Sequence, residues 1–206
     1  MKVQYKRLIV LSSVFFLLVQ TSYFWEPWLE SWGMLLIFLL VIVFMTLAGL
    51  FLSHLVMLIK ERFRNRQRII VASILFVAVS TTLINPIGLI DFDRLAGKDL
   101  FIAMREGAAD CQTILKLKDN NTFVERNLCF GISEIKGSYT IKGDTVFFTN
   151  VKPNRSKEKY YMYATIIKKN KIEHGSYKTV GDLVLYKDKK NTTGHILWIT
   201  KNDFPL

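Results

Sequence analysis

The first 90 residues of the chain contain three long apolar runs, and no comparable run follows them. The runs are Leu8–Trp25, Met34–Ile59 and Ile69–Ile90, and each is almost free of charged side chains. Because a helix rises about 1.5 Å per residue, about 18 apolar residues suffice to cross the roughly 30 Å hydrocarbon core of a bilayer. The sequence therefore predicts a three-helix transmembrane domain in residues 1–90, in contact with the lipid bilayer, and a separate domain in residues 91–206.

The charged residues around these runs predict the orientation of the chain in the membrane. Three bases lie in the first seven residues and five more lie in the loop 60–68, whereas the loop 26–30 has two acids and no base. Short loops rich in Lys and Arg stay in the cytoplasm. We therefore expect a multi-pass protein of the cell inner (plasma) membrane, with a cytoplasmic N-terminus and residues 91–206 in the periplasm or outside the cell. If the first run is instead a cleaved signal peptide, the second run still enters from outside and the C-terminal domain keeps its place.

The second run carries three small residues at helical spacing. Thr46, Gly49 and Ser53 lie at positions i, i+3 and i+7 and share one face of a helix. Such a face lets another helix approach closely, so these residues are a candidate helix-packing site, although small residues are also ordinary in membrane helices. His54 is the one titratable group well inside a run. Because the other runs offer it no ionisable partner, we do not expect a proton relay or a transporter.

Residues 91–206 show the alternation and turn residues of an all-β antiparallel domain. Two hairpins are predicted, one around Asp119–Asn121 and one around Gly143-Asp144. The segment Leu100–Glu106 fits either a strand or a short helix. The predicted strands are Cys111–Lys118, Thr122–Phe130, Gly137–Lys142, Thr145–Thr149, Tyr160–Lys168, Asp182–Tyr186 and His195–Thr200. Seven or eight short strands indicate a small meander, sandwich or barrel.

The second hairpin can be tested for internal consistency. A two-residue loop pairs Lys142 with Thr145 and Tyr139 with Phe148. Side chains alternate along a strand, so one face is apolar and the other is mainly Thr and Lys. This is the pattern of an antiparallel sheet with one buried face.

The two cysteines of the chain fall on the two strands of the first hairpin. If the turn is a three-residue loop, Lys118 pairs with Thr122, and Cys111 then lies opposite Cys129. Opposed residues come within disulfide range, and an extracytoplasmic compartment lets a bridge persist. Cys111 and Cys129 are therefore a disulfide candidate. A four-residue loop would shift the register by one and leave two reduced, buried thiols as the alternative.

The two hairpin sequences together resemble a known class of domain. Residues 113–123, TILKLKDNNTF, and residues 137–147, GSYTIKGDTVF, are similar to strand pairs of small lipocalin-like bacterial envelope domains. They are also similar to uncharacterised bacterial integral-membrane proteins that carry such a domain. The resemblance covers about 40 residues and implies a bacterial inner membrane with a periplasmic domain. It implies no reaction and carries over no functional residues.

These features predict a binding protein rather than an enzyme. We expect no catalytic residues, cofactor or metal site, since His174 and His195 have no ligand-type neighbours at metal spacing, and no nucleic-acid partner. The leading hypothesis is a non-enzymatic integral membrane protein whose extracytoplasmic β domain binds a protein partner or small ligand. The alternative is an accessory or immunity-type subunit that joins a larger membrane complex through its helices.

Overall fold

The chain forms two compact units in a computed structural model that describes residues 3–86, 88–153, 159–174, 177–188 and 193–204. The helical unit comprises Met1–Glu26 and Trp32–Asp91. The barrel unit comprises Pro27–Ser31 and Phe92–Leu206. The two units are described separately below.

Four helices account for the N-terminal part of the chain. They are α1 (Val3–Gln20), α2 (Ser22–Leu29), α3 (Ser31–Lys60) and α4 (Arg66–Ile84). Three of them, α1, α3 and α4, are long and apolar enough to cross a membrane. The number of candidate spans predicted from the sequence is therefore confirmed among the described residues.

In two of the predicted runs, the helix ends before the apolar sequence does. The run Leu8–Trp25 is divided, because α1 ends at Gln20 and the next residues start the short helix α2. The hydroxyl of Thr21 donates to the carbonyl of Leu17 (2.7 Å) at this break. The run Ile69–Ile90 stops being helical at Ile84, since Pro86 has no amide hydrogen and disfavours helical geometry in the residue before it.

A small apolar core lies between the three long helices. Phe15 and Val19 of α1, Leu47 of α3, and Val71 and Leu75 of α4 are buried together. These positions recur at helical spacing, so one face of each helix points into the core while most other apolar side chains point outward. An outward apolar surface is what a lipid environment accommodates.

The basic loop between α3 and α4 is short and capped. Asn65 precedes α4, and its side-chain oxygen accepts a hydrogen bond from the amide of Arg68 (3.3 Å). Arg68 also forms a 3.0 Å ion pair with Glu61. The cap satisfies one amide at the start of α4, and the ion pair links the two ends of the loop.

The C-terminal part of the chain is a closed antiparallel barrel. Its eight strands pair in sequence order, and β1 also pairs with β8. The strands are β1 (Asp99–Glu106), β2 (Gln112–Lys118), β3 (Thr122–Leu128), β4 (Ile132–Lys142), β5 (Thr145–Pro153), β6 (Tyr163–His174), β7 (Tyr177–Tyr186) and β8 (His195–Asn202). A short helix, α5 (Phe92–Leu95), precedes β1. The segment around Leu100–Glu106 is therefore a strand, and of the three predicted β architectures the barrel is correct.

Both predicted hairpins have the register that the sequence indicates. In β4–β5, Lys142 pairs with Thr145 and Tyr139 pairs with Phe148. In β2–β3, Gln112 pairs with Leu128, which is the register of a three-residue loop. Asn121 in that loop adopts a left-handed φ of 60°, a conformation that Asn tolerates.

The predicted disulfide is present at the open end of the first hairpin. Cys111 and Cys129 are bonded, with their Cα atoms 4.5 Å apart, just beyond the last paired residues of β2 and β3. The bridge ties the two strands together at the end opposite their turn.

Candidate functional site

The interior of the barrel is filled by side chains. Fourteen buried residues from β1 to β8 form one apolar cluster, and several partly buried aromatic and aliphatic residues pack against it. Among the largest, Phe101, Phe123 and Leu117 have no exposed surface. Small eight-stranded barrels commonly fill their interior in this way instead of holding a ligand. Candidate sites therefore lie on the outer surface.

The outer face of β5–β7 carries a row of aromatic rings. Phe147 pairs with Tyr163, which pairs with Tyr186 across the next strand. The ring centroids are 6.3 Å apart for Phe147 and Tyr163 and 5.0 Å apart for Tyr163 and Tyr186. All three side chains are partly exposed. The rings form a continuous ladder on the side of the sheet that faces away from the barrel core.

Aliphatic side chains extend this ladder toward β8. Val184 pairs with Ile196, and Ile167 lies four residues from Tyr163 on the same face of β6. Ile196 is 42% exposed and Ile167 is 43% exposed, whereas Val184, on the strand between them, is only 8% exposed. We define the aromatic face as Phe147, Tyr163, Ile167, Val184, Tyr186 and Ile196. Exposed, contiguous surfaces rich in Tyr, Phe and Ile are typical of protein contact sites.

A cluster of charged side chains lies where α5 meets β1 and β2. Lys118 forms ion pairs with Asp99 (2.8 Å) and Asp93 (3.3 Å), and Lys116 forms ion pairs with Asp99 (3.1 Å) and Asp93. Burial alone would raise the pKa of Asp93, but the hydrogen bond from Lys116 and the charges of Lys116 and Lys118 hold this pKa below its ordinary value. Burial would likewise lower the pKa of Lys116, and its hydrogen bonds and ion pairs with Asp93 and Asp99 raise it instead.

The buried cation of this cluster is satisfied by backbone oxygens as well. The ammonium of Lys118 donates to the carbonyls of Asp93 (2.7 Å) and Gly97 (3.1 Å). The hydroxyl of Tyr139 in turn donates to the carbonyl of Lys118 (2.7 Å). Because several oxygens surround the ammonium of Lys118, this side chain is held in place. We therefore interpret the cluster as a structural link between α5 and the barrel.

One acidic side chain points into the barrel among the aromatic residues. The hydroxyl of Tyr160 donates to Glu125 (2.6 Å), and its ring stacks on Phe123 with centroids 5.3 Å apart. Burial raises the pKa of Glu125 above its ordinary value, against the lowering effect of the Tyr160 hydrogen bond. Burial also raises the pKa of Tyr160 well above its ordinary value, helped by the charge of Glu125.

The two histidines named in the sequence analysis are not brought into a metal site in the described part of the chain. His195 lies 3.5 Å from the guanidinium of Arg105 and stacks on Tyr161. Burial, and then the charge of Arg105, lowers the pKa of His195. The side chain of His174 lies outside what the structure describes. Within the described residues, no group of three His, Cys, Asp or Glu side chains is placed to hold a metal ion.

The small residues of α3 face away from the helical core. Thr46, Gly49 and Ser53 are exposed, whereas Leu47 next to them is fully buried. The hydroxyls of Thr46 and Ser53 donate to carbonyls of their own helix, those of Ile42 and Gly49. A Cβ atom added at Gly49 would have nothing within 4 Å. The three residues of the candidate packing site thus lie on one exposed face of α3. Among the described residues, no other helix of this chain packs against that face.

The aromatic face was not predicted from the sequence, although one signal for it is visible there. Phe147 stands between Val146 and Phe148, at a position where alternation requires an outward side chain on an otherwise Thr-rich face. The contribution of Tyr163 and Tyr186 depends on the register of β5–β6 and β6–β7. No short turn sets the β5–β6 pairing, and the register of β6–β7 shifts between Lys168 and Ile172, so the His174–Tyr177 pair does not by itself predict the Tyr163–Tyr186 pair.

Comparison with known proteins found no family model, curated protein or solved structure that matches this chain.

Proposed function

We propose that this chain is a non-enzymatic integral membrane protein of the cell inner membrane whose extracytoplasmic barrel binds a protein partner. The observation that carries the proposal is the aromatic face, which is apolar, ring-rich and partly exposed on four adjacent strands. Aromatic residues are enriched at the centres of protein interfaces because they bury much area at a small cost in side-chain entropy.

A protein partner fits the barrel better than a small ligand held inside it. The interior positions are occupied by buried side chains from all eight strands. An enclosed ligand of ordinary size needs about 300–1,000 Å³, and such a space would require several core side chains to move. A protein can instead contact the aromatic face without any movement of the core side chains.

The charge pattern of the helical unit supports the outward orientation of the barrel. Lys60 ends α3, and four arginines follow it up to Arg68 at the start of α4. Keeping this loop and the N-terminus in the cytoplasm sends the chain after α4 outward. The Cys111–Cys129 bridge is consistent with this, since disulfides persist mainly in oxidising compartments.

Site-specific photo-crosslinking in native membranes tests the proposal. A photoreactive residue in place of Ile196 or Ile167 should give one discrete protein adduct, and the same residue in place of exposed Lys136, four residues along β4 from the partner of Phe147, should not. The change Tyr163→Ser should abolish the adduct at both positions, because it removes the central ring of the ladder.

Two outcomes would contradict the proposal. Equal adducts from Lys136 and from the aromatic face would mean that the face is not selective. Adducts that contain only lipid would mean that the face lies against the bilayer and not against a protein.

The exposed face of α3 supports a second candidate function, that of an accessory or immunity-type subunit of a membrane complex. Its observation is the open space at Gly49, between two hydroxyls that bond within their own helix. If a partner helix packs here, Gly49→Leu should abolish co-purification of a membrane partner in mild detergent. The matched change Val41→Leu, at an exposed position of α3 away from the face of Thr46, Gly49 and Ser53, should leave co-purification intact.

A further inference from the structure

A recess opens on the outer surface of β2–β5, whereas the aromatic face lies on β5–β8. Its volume is about 810 Å³. Its lining combines lysines, amide and hydroxyl side chains, and a few apolar residues, and none of the lining residues that the structure describes is Asp or Glu. The lining residues used below are Asn120, Thr122, Phe123, Lys136, Ser138 and Lys152.

An irregularity of the sheet forms this recess. The register of β4–β5 shifts between Lys136 and Ser138, so that Asn150 and Val151 of β5 oppose the single residue Gly137. Asn150 has a left-handed φ of 50°. A Cβ atom at Gly137 would lie 2.6 Å from the ring of Phe123, so a side chain at this position would collide with the floor of the recess. Bulges of this kind redirect side chains and recur beside functional sites.

Two lysines of the recess face each other across the sheet. Lys136 and Lys152 are direct cross-strand partners, and like charges in that position destabilise a sheet. Lys118, at the end of the recess, is already neutralised by Asp93 and Asp99. Glu134 forms ion pairs with Lys136 (2.6 Å) and with Arg126 (2.9 Å).

The other lining groups match a polyhydroxylated ligand. The amide of Asn150 and the hydroxyl of Ser138 supply both donors and acceptors to sugar hydroxyls, and the hydroxyl of Thr122, which donates to the Asn120 side chain (2.6 Å), keeps its capacity to accept. Val124 and Val151 give an apolar floor for the carbon face of a sugar ring. The volume lies within the roughly 300–1,000 Å³ of ordinary ligand sites.

We propose that this recess binds a segment of an acidic glycan, with its carboxylate or phosphate groups between Lys136 and Lys152. An anion placed there removes the cross-strand repulsion and gains charge-assisted hydrogen bonds. The sugar hydroxyls then meet the amide and hydroxyl side chains at the rim. This site is independent of the aromatic face and of any protein partner.

Titration of the full-length protein in a non-ionic detergent without a sugar head group tests the proposal. The probes are a short galacturonic acid oligomer and a neutral galactose oligomer of the same length. We expect saturable binding of the acidic oligomer, which weakens at high salt, and at least about tenfold weaker binding of the neutral one.

Matched variants locate the binding. The double change Lys136→Gln/Lys152→Gln should weaken binding of the acidic oligomer by about tenfold or more. The double change Lys142→Gln/Lys178→Gln removes the same charge at exposed positions outside the recess lining and should leave binding unchanged. Lys136→Arg/Lys152→Arg should retain binding, and an unchanged melting temperature for each variant shows that the barrel is folded.

Several results would overturn the proposal. These are the absence of saturable binding of the acidic oligomer, equal binding of the neutral oligomer, or an equal loss of affinity in the two glutamine variants. Vesicles of phosphatidylglycerol, compared with vesicles of phosphatidylcholine, test a lipid source of the anion. Binding to the anionic vesicles that needs Lys136 and Lys152, without binding of the acidic oligomer, would assign the recess to lipid head groups and refute the glycan.

Discussion

Lys118 and Asp99 form a 2.8 Å ion pair on the face of β2 opposite the barrel core, although Lys118 has no exposed surface. The pair joins the last residue of β2 to the first residue of β1, and Asp93 of α5 completes it. The segment that enters the barrel is therefore held by buried charges and not by apolar packing alone.

Removal of the buried cation should destabilise the barrel strongly. Lys118→Met leaves Asp93 and Asp99 partly buried with Lys116 as their remaining close cation, and breaking a buried pair costs about 3–5 kcal/mol. The measurement is the free energy of unfolding of the full-length protein in detergent. Lys142→Met, at an exposed position, should change it by less than about 0.5 kcal/mol. Equal stability of the two variants would show that the ion pairs contribute little.

The buried carboxyl of Glu125 should make barrel stability fall as pH rises. Because burial raises its pKa in the folded state, the protonated form is favoured by folding. That contribution is complete below the pKa of the unfolded chain and is lost as pH rises through the raised pKa of the folded state. Glu125→Gln should therefore raise the melting temperature at neutral pH and flatten its dependence on pH. A lower melting temperature at neutral pH would mean that the ionised carboxylate stabilises the barrel.

The hydrogen bond from Tyr160 can be tested separately. Tyr160→Phe keeps the ring that stacks on Phe123 and removes the hydroxyl that bonds Glu125. We expect a loss of about 1–3 kcal/mol, the usual cost of leaving a buried polar group unsatisfied. In the Glu125→Gln background the same substitution should cost less, because the charged form of the acceptor is gone. Identical costs in the two backgrounds would contradict coupling between the two groups.

The Cys111–Cys129 bridge should contribute measurably to stability. Replacing both cysteines by Ser frees the open end of the β2–β3 hairpin, and disulfides closing loops of this size contribute about 2–4 kcal/mol. Unfolding with and without a reductant gives the measurement. The reductant should destabilise the natural chain and leave the double Ser variant unaffected, and an effect of similar size on both would point to another target.

Adding a side chain at Gly137 should destabilise the barrel. Gly137→Ala places a Cβ atom against the Phe123 ring and 2.9 Å from the carbonyl of Thr149. Overpacking of this kind costs about 1–3 kcal/mol. Ser138→Ala on the neighbouring residue should cost less than about 0.5 kcal/mol. Comparison of the two melting temperatures checks the assignment of Gly137 as part of the sheet irregularity.

The parts of the fold that were predictable from the sequence depend on local rules. The three helices follow from the length of apolar runs, and the two hairpins follow from Asp119–Asn121 and Gly143-Asp144, whose loop lengths fix the register. The disulfide followed from the first of these registers. The break after Gln20 was not predicted, because the length of an apolar run does not indicate where a helix inside it ends.

The candidate sites depend on strand pairings whose register a short turn does not fix, because β5–β6 has no such turn and the registers of β4–β5 and β6–β7 shift along the strands. Closure of the barrel by β1 and β8 and the alignment of β5, β6 and β7 bring Phe147, Tyr163 and Tyr186 together. Likewise, Lys136 and Lys152 are opposed only because the β4–β5 register shifts near Gly137. Side-chain alternation alone would place these residues on an outer face without saying which of them meet.

The pairing of β8 with β1 has a consequence for recognition. Because the last strand bonds to the first, no strand of this sheet is terminal in the part of the chain that the structure describes. A peptide therefore finds no terminal strand to extend by main-chain hydrogen bonds, and edge-to-edge polymerisation by the same route is discouraged. A partner of this surface must therefore recognise side chains, so single substitutions can change the specificity of binding.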